Sequence, residues 1–234
     1  MPTQNSSNSG NDTALLAIPT TELNRTNPAF GPGNPEVTQD RAYDLYDNYS
    51  RYGYVMFPQQ VAIYRYLAEC FGSERWLHGS ILEAGCGNGV GSALIHHRTG
   101  TLIATDVSES NVRFCKCLYP WIDFRLWDIK RASVLKADHV VAVEVLEHIE
   151  EPQLALRNLI DAAYKTIWLS TPNGTDKRRP PENTCHVCEY TPAEVLAMIH
   201  QCWKGLDVEI IGYGGQRLLS VDTDVDPLIY RIKK

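Results

Sequence analysis

The 234 residues carry 22 Lys and Arg against 28 Asp and Glu, a formal net charge of −6, with 44% hydrophobic and 21% charged residues. That is enough apolar matter for one sizeable core, and the acidic balance argues against a general affinity for nucleic acid. No apolar run approaches the roughly 20 residues of a membrane span, and the start (Met1-Pro2-Thr3-Gln4-Asn5) lacks the basic region and apolar core of a secretory leader. Seven cysteines, an odd number without scaffold spacing, fit a reducing compartment, so the chain is expected in the cytoplasm.

In chain order, residues 1–40 are rich in Asn, Thr, Pro and Gly with little to bury, and read as a disordered tail. A tyrosine-laden segment follows, with Tyr43, Tyr46, Tyr49, Tyr52 and Tyr54. These tyrosines suit either a lid over a ligand or the apolar underside of an N-terminal helix. Pro58 can open a helix that runs to about Phe71, with Gly72 as its stop. Residues 41–79 are thus expected as a helical cap on a domain spanning 41–234.

The most informative stretch comes next: Ser80-Ile81-Leu82-Glu83-Ala84-Gly85-Cys86-Gly87-Asn88-Gly89-Val90-Gly91. An apolar strand ends near an acid, glycine falls at every second position, and a helix begins at Val90. Residues without a Cβ let a ligand lie against the peptide plane, and amides at a helix start favour polar or negative groups. A nucleotide-like ligand is expected on this turn. The dinucleotide fingerprint G-x-G-x-x-G/A is not matched, because Val90 or Ser92 stands at its last position. A phosphate-binding P-loop needs a Gly-Lys-Ser/Thr ending, which is missing.

Strands alternate with helices beyond the turn. Thr101 to Thr105 reads as a strand ending on Asp106, about twenty residues past the turn, where a ribose diol would be held. Asp106 could instead cap the helix that follows from Glu109, although Ser108 can do that. Trp121 to Trp127 alternates like a strand and gives way to Asp128-Ile129. Ala137 to Val143 is near-continuously β-branched, as in a parallel sheet buried on both faces. Leu156, Leu159, Ile160 and Ala163 make one helix face, and Thr166 to Ser170 reads as a further strand. Thr191-Pro192-Ala193-Glu194 is a capping box whose helix buries Val195, Met198, Ile199 and Cys202. The segments 207–211 and 227–231 read as the last strands.

The acid-x-Gly-x-Gly-x-Gly turn, Asp106, Asp128, Glu144-Val145-Leu146-Glu147-His148 and Thr171-Pro172-Asn173-Gly174 occur in an order that resembles the class I S-adenosylmethionine-dependent methyltransferases. The tails of the fourth and fifth strands are similar to the small-molecule type, including the ubiquinone-biosynthesis O-methyltransferase group. The resemblance covers roughly Leu82 to Met198. It implies an α/β, Rossmann-like, doubly wound seven-stranded sheet with an antiparallel last strand and helices on both faces. It implies S-adenosyl-L-methionine as cofactor, bordered by Glu83, Gly85, Cys86, Gly87, Gly89, Asp106, Val107, Asp128, Ile129, Glu144 and Val145. In this family an acid at Asp128 accepts from the adenine amine and the apolar neighbour packs on the ring; an exposed turn aspartate is the plain alternative.

The expected reaction is methyl transfer to an oxygen or nitrogen of a small-molecule acceptor. His148 and His186 are the candidate catalytic residues, since an imidazole titrates near neutrality. Either could simply shape the acceptor side. Glu144, Glu147, His148 and His186 also resemble the metal-binding set of small-RNA 2′-O-methyltransferases, but the charge balance disfavours an RNA substrate and no metal is expected. Cys185 and Cys188 lack the second pair a zinc site needs. Lys177-Arg178-Arg179 could hold an anionic group of the acceptor, or be a solvated loop. A fold that binds the nucleoside but transfers nothing is the rival from outside enzymology.

Overall fold

In the computed structural model, the residues described are 58–73, 78–174, 186–220, 223 and 225–234. The tail, the five early tyrosines, Lys177 to Arg179 and Cys185 therefore lie outside the described residues. In chain order the elements are helix α1 (Pro58–Ser73), β1 (Ile81–Ala84), α2 (Val90–Thr99), β2 (Ile103–Asp106), α3 (Glu109–Leu118), β3 (Asp123–Leu126) and β4 (Ala137–Val143). A 3-10 turn (Leu146–His148), α4 (Pro152–Ala162), β5 (Ala163–Thr171), α5 (Pro192–Cys202), β6 (Asp207–Gly212), β7 (Arg217–Leu218) and β8 (Leu228–Lys233) complete the chain. No described helix is long and apolar enough to cross a membrane.

The strands form one sheet of order β3-β2-β1-β4-β5-β8-β6-β7. The first five are parallel, with Leu82 level with Ile103 on one side and Val140 on the other. β8 runs antiparallel between β5 and β6. The sheet has eight strands rather than the expected seven. The extra one is the two-residue β7, which pairs with Ile210 and Ile211 of β6 at the edge. A strand that short offers no periodicity for sequence reading to detect.

Side-chain alternation divides the core between the two faces of the sheet. Leu82, Val140, Ala142, Ile167 and Leu169 pack toward α4 and α5, against Leu156, Leu159, Ile160, Val195 and Ile199. Ile81, Val141, Val143 and Trp168 face the other way, toward Ile63, Leu67 and Phe71 of α1, Ile95 of α2 and Phe114 of α3. Ala163 departs from the expected helix face: α4 ends at Ala162, and Ala163 opens β5 beside Ala137. Its alanine fits the helical spacing, but pairing with β4 decides its backbone. Gly72 does not stop α1, which continues through Ser73; a Cβ there would approach the Arg98 Cβ to 3.3 Å. The capping box of α5 forms as expected, with the Glu194 carboxylate accepting from the Thr191 N–H at 2.8 Å and the Thr191 hydroxyl accepting from the Glu194 N–H at 3.3 Å.

One ion pair clamps the amino end of the central strands. Asp138 of β4 accepts from Lys165 Nζ of β5 at 2.8 Å and from the Ser80 N–H ahead of β1 at 2.9 Å. Lys165, then the Ser80 donors, hold its carboxyl down to about 2. A depressed carboxyl stabilises the fold at pH values above its unfolded value near 4, and that stability fades as the pH falls toward 2. Asp138→Asn should therefore cost about 1 kcal/mol at neutral pH, allowing for screening of the half-exposed Lys165. The difference between variant and parent in chemical denaturation should shrink between pH 4 and pH 2. A pH-independent difference would show that the pair contributes through packing instead.

Candidate functional site

The glycine turn joins β1 to α2, and three of its glycines hold positive φ: 74° at Gly85, 54° at Gly87 and 77° at Gly89. Each is a left-handed backbone that a side chain would strain. Space is restricted as well. A Cβ on Gly85 would lie 2.6 Å from Val145 Cγ2, and one on Gly89 would lie 2.9 Å from Cys115 Sγ. The turn is therefore pressed between the segment after β4 and helix α3. Cys86 is almost fully buried in the core, as a small residue suits, with its thiol pushed well up by contact with Cys115 and by burial.

Glu83 and Asp106 stand at the ends of neighbouring strands but in different situations. Glu83 is fully buried, its Oε1 accepting from Tyr64 OH at 2.7 Å and its Oε2 from Ser92 Oγ at 2.6 Å. Burial raises its pKa despite both bonds. Glu83 thus anchors the underside of the turn. Asp106 is 1% exposed and accepts from the Gly87 N–H at 2.9 Å on Oδ2 and from the Ser108 N–H at 2.9 Å on Oδ1. Asn111 Nδ2 reaches Oδ1 at 3.4 Å. Ser108 takes the cap of α3, accepting from the Asn111 N–H, so Asp106 is released from that role. It binds the turn to β2 instead, with Val107 beside it 37% exposed.

Asp128 lies at the next strand end, beyond β3. Its Oδ1 accepts from the Lys130 N–H at 3.0 Å and its Oδ2 lies 3.6 Å from the exposed Arg131. It organises its own turn while remaining partly open to solvent. Ile129 is 8% exposed, and its carbonyl accepts from Asn158 Nδ2 of α4.

The segment after β4 carries the strained backbone. Glu144 has φ 53°, the one positive value among described non-glycine residues. Its Oε1 accepts from Ser170 Oγ at 2.6 Å, and its N–H donates to the Ser170 carbonyl at 3.1 Å. Such a conformation costs on the order of 1–3 kcal/mol and persists where surroundings fix it. Burial pushes the Glu144 carboxyl up to about 7, against the bond from Ser170 and with help from Asp226 and Glu189. Glu147 is fully buried, with neither carboxylate oxygen hydrogen-bonded among the described residues, and burial followed by Glu144 raises it well above the carboxylate range.

His148 and His186 meet although 37 residues separate them in the chain: their rings are 4.9 Å apart, edge to face. His148 Nε2 lies 3.9 Å from Glu147 Oε1, and His186 Nδ1 lies 2.7 Å from Glu189 Oε1. The backbone brings them together, because the Val187 and Cys188 N–H groups both donate to the Glu147 carbonyl, at 2.7 and 3.2 Å. Gly174, where a Cβ would meet Glu189 backbone at 2.8 Å, lets β5 end against the same segment. Asn173 then ties in Thr223, Val225 and Asp226, its Nδ2 donating to the Thr223 and Val225 carbonyls and its N–H to Asp226 Oδ1.

Sequence reading names the acids and histidines, with Glu189 in the His-x-x-Glu run that starts at His186, but misses Tyr64, Ser92 and Ser170, none of which has a local signal. The carboxyl ends of β1, β2, β3 and β4 thus present a flat turn, a buried acid, an apolar neighbour and a partly open acid. That set fits a nucleoside. The two histidines border it on the β4 and β5 side, where ligands of open α/β sheets bind.

Residues 82–162 match the family model described as a methyltransferase domain. A probable S-adenosylmethionine-dependent methyltransferase of Mycolicibacterium smegmatis is 27% identical over 65% of this chain and 60% of its own length. One of Mycobacterium tuberculosis is 28% identical over 61% of this chain and 54% of its own. The chain thus spans somewhat over half the length of these curated relatives. Among solved structures, the plantazolicin methyltransferase BpumL, in complex with a pentazolic desmethylPZN analog and SAH, shares the fold with a TM-score of 0.63 at 16% identity, covering 85% of this chain and 96% of that one. Magnesium protoporphyrin IX methyltransferase from Synechocystis, with bound SAH, gives 0.61 at 17% identity over 84% of this chain and 99% of its own. Residues 82–162 thus match a methyltransferase domain, and in fold and in the order of its motifs the chain is similar to S-adenosylmethionine-dependent methyltransferases.

Proposed function

We propose that the protein transfers a methyl group from S-adenosylmethionine to an oxygen or nitrogen of a small-molecule acceptor. The observation that carries this reading is the bond from the Gly87 N–H to Asp106, which sets the glycine turn against an acid of the type that accepts from ribose hydroxyls. Bound S-adenosylmethionine would supply a methyl group on a sulfonium centre. The protein's own work is to align and to exclude water, and alignment alone can supply about 7–11 kcal/mol of a barrier. Asp106 and Val107 would hold the ribose side, Asp128 and Ile129 the adenine side, and Glu144 and Val145 the edge nearest the acceptor. Cys86, Gly85, Gly87 and Gly89 form the floor, with Glu83 beneath them. An acceptor that must lose a proton would pass it to a ring nitrogen of His148 or His186, which stand together past the ends of β4 and β5. The methyltransferase relatives support the reaction class, and BpumL, crystallised with a small-molecule analogue, supports the acceptor class.

A second reading, metal-assisted transfer as to an RNA 2′-hydroxyl, draws on a different observation. One ligand-type atom each from Glu147, His148 and His186 lies within 4.8 Å of the others. A carboxylate with two imidazoles suits a divalent ion such as Mn or Zn.

Titration calorimetry with S-adenosylhomocysteine should show binding by the parent, and Asp106→Asn should weaken it at least tenfold, since a bond to a charged acceptor contributes about 1.5–3 kcal/mol. NAD binding with no response to S-adenosylhomocysteine would overturn the reading. His148→Ala should leave that affinity within twofold and lower turnover at least tenfold, read by incubating labelled cofactor with a cell extract and recovering the labelled acceptor. Full turnover in the variant would remove His148 as the base. Binding without any labelled product would leave a silent binding module. Adding Mn or Mg to protein dialysed against chelator should not change the rate in the first reading; stimulation would establish the second.

A further inference from the structure

Strand β3 is the outer strand of the sheet. It pairs with β2 on one side, and no strand lies on its other side among the described residues. The Trp127 N–H donates to the Asp106 carbonyl of β2 at 2.9 Å. Backbone groups alternate along a strand, so the amides and carbonyls of Phe124 and Leu126 point outward, away from β2. A row of outward backbone groups is a template for a further strand.

The side chains of β3 suit a strand of its own kind. Phe124 is buried, but Leu126, two residues on, is 59% exposed. Trp121, just ahead of the strand, is also 59% exposed, its ring edge-on to Tyr119 at 5.9 Å. Single exposed apolar side chains are ordinary; here two flank one outward row of backbone groups. Asp123 and Arg125 share the other face, both about half-exposed, with Nη2 of Arg125 2.6 Å from Asp123 Oδ2. When β3 meets a second copy antiparallel about Phe124, Asp123 of each copy falls opposite Arg125 of the other, and Ile122 opposite Leu126. Parallel pairing in register would set Asp123 against Asp123 and Arg125 against Arg125. Nε and Nη2 of Arg125 donate to Asp123 of their own strand, which leaves Nη1 for a second carboxylate.

We propose that β3 is a dimerisation edge: two copies of this chain pair through it antiparallel about Phe124, with two Asp123–Arg125 ion pairs across the contact. Trp121 and Leu126 of each copy are covered by the other, and the two sheets become one. Such a pairing is closed by a two-fold axis, so it stops at two copies and does not extend into fibres. Four residues of strand and two apolar side chains make a small contact. Association is therefore weak and reversible, with a Kd of about 1–100 μM.

Exchange of the two charges tests both the contact and its register. Sedimentation velocity on the full chain, loaded at about 5 to 200 μM, should show a monomer–dimer equilibrium. Arg125→Asp leaves an acid at both positions, and Asp123→Arg leaves a base at both. Each variant alone should dimerise at least tenfold more weakly than the parent, because like charges then face each other. An equimolar mixture of the two should recover the parent's dimerisation, since each copy meets its complement. The double exchange, Asp123→Arg with Arg125→Asp, should dimerise on its own. The changes fall on exposed side chains, so each variant should keep the parent's thermal midpoint within about 2 °C. A parent that stays monomeric at every loading overturns the proposal. Dimers indifferent to both single variants place the contact elsewhere and overturn it too. Single variants that stay monomeric when mixed overturn the antiparallel register.

Discussion

The rest of the structure depends on a carboxylate buried beneath the glycine turn. Glu83 is sealed from solvent at the end of β1, and burying a carboxyl is costly unless donors surround it. Tyr64 from α1 and Ser92 from α2 supply those donors, and the Thr105 hydroxyl of β2 donates to the Glu83 carbonyl at 2.7 Å. One residue thereby ties together two helices and two strands. The tie also explains Gly91, whose φ is unremarkable: a Cβ there would stand 2.2 Å from Tyr64 Cζ. The last glycine of the run makes room for the tyrosine that binds the glutamate.

On that base the turn is drawn to its neighbours by bonds that leave it little freedom. Asp106 takes the Gly87 amide from the β2 side, Val145 presses on Gly85 from the β4 side, and Cys115 lies under Gly89 from α3. Preorganisation of this kind lowers the ordering cost of binding. The acceptor side holds its own unrelieved costs. Glu144 sits at positive φ, and Glu147 is buried with two oxygens not hydrogen-bonded among the described residues. Buried acids and a strained backbone collected at one end of a parallel sheet are where a functional site is expected.

How much of this could be read in advance follows from the range of each interaction. Local patterns were legible: the β-branched run of β4, the capping box of α5 and the glycine spacing all act within a few residues. Ala163 was misread because seven-residue spacing cannot tell the end of a helix from the start of the strand after it. Asp106 was placed correctly at a strand end, yet its bond to Gly87 depends on β1 and β2 lying side by side. Glu83 reads in sequence as an acid of the ligand site. Only the packing of α1 and α2 shows both its oxygens engaged from below. Tyr64 had no signal at all, since its meaning lies in Gly91 and Glu83, 27 and 19 residues away.

The two halves of the site differ in how they are encoded. The proposed cofactor side is compact in sequence, from Glu83 to Asp128, and its residue types are those the proposed chemistry calls for. The proposed acceptor side is assembled from residues 144–148, 170–174 and 186–190 with Thr223, Val225 and Asp226, and much of what joins them is backbone. The Val187 and Cys188 N–H groups reach the Glu147 carbonyl, the Gly174 N–H reaches the Tyr190 carbonyl, and Asn173 holds the Thr223 and Val225 carbonyls. Backbone bonds fix where these segments lie, and side-chain bonds from Ser170 to Glu144 and between His186 and Glu189 add to them. On the proposed reading, the acceptor can vary without disturbing the glycine turn, so the glycine motif points to the donor of the methyl group and is silent on its destination.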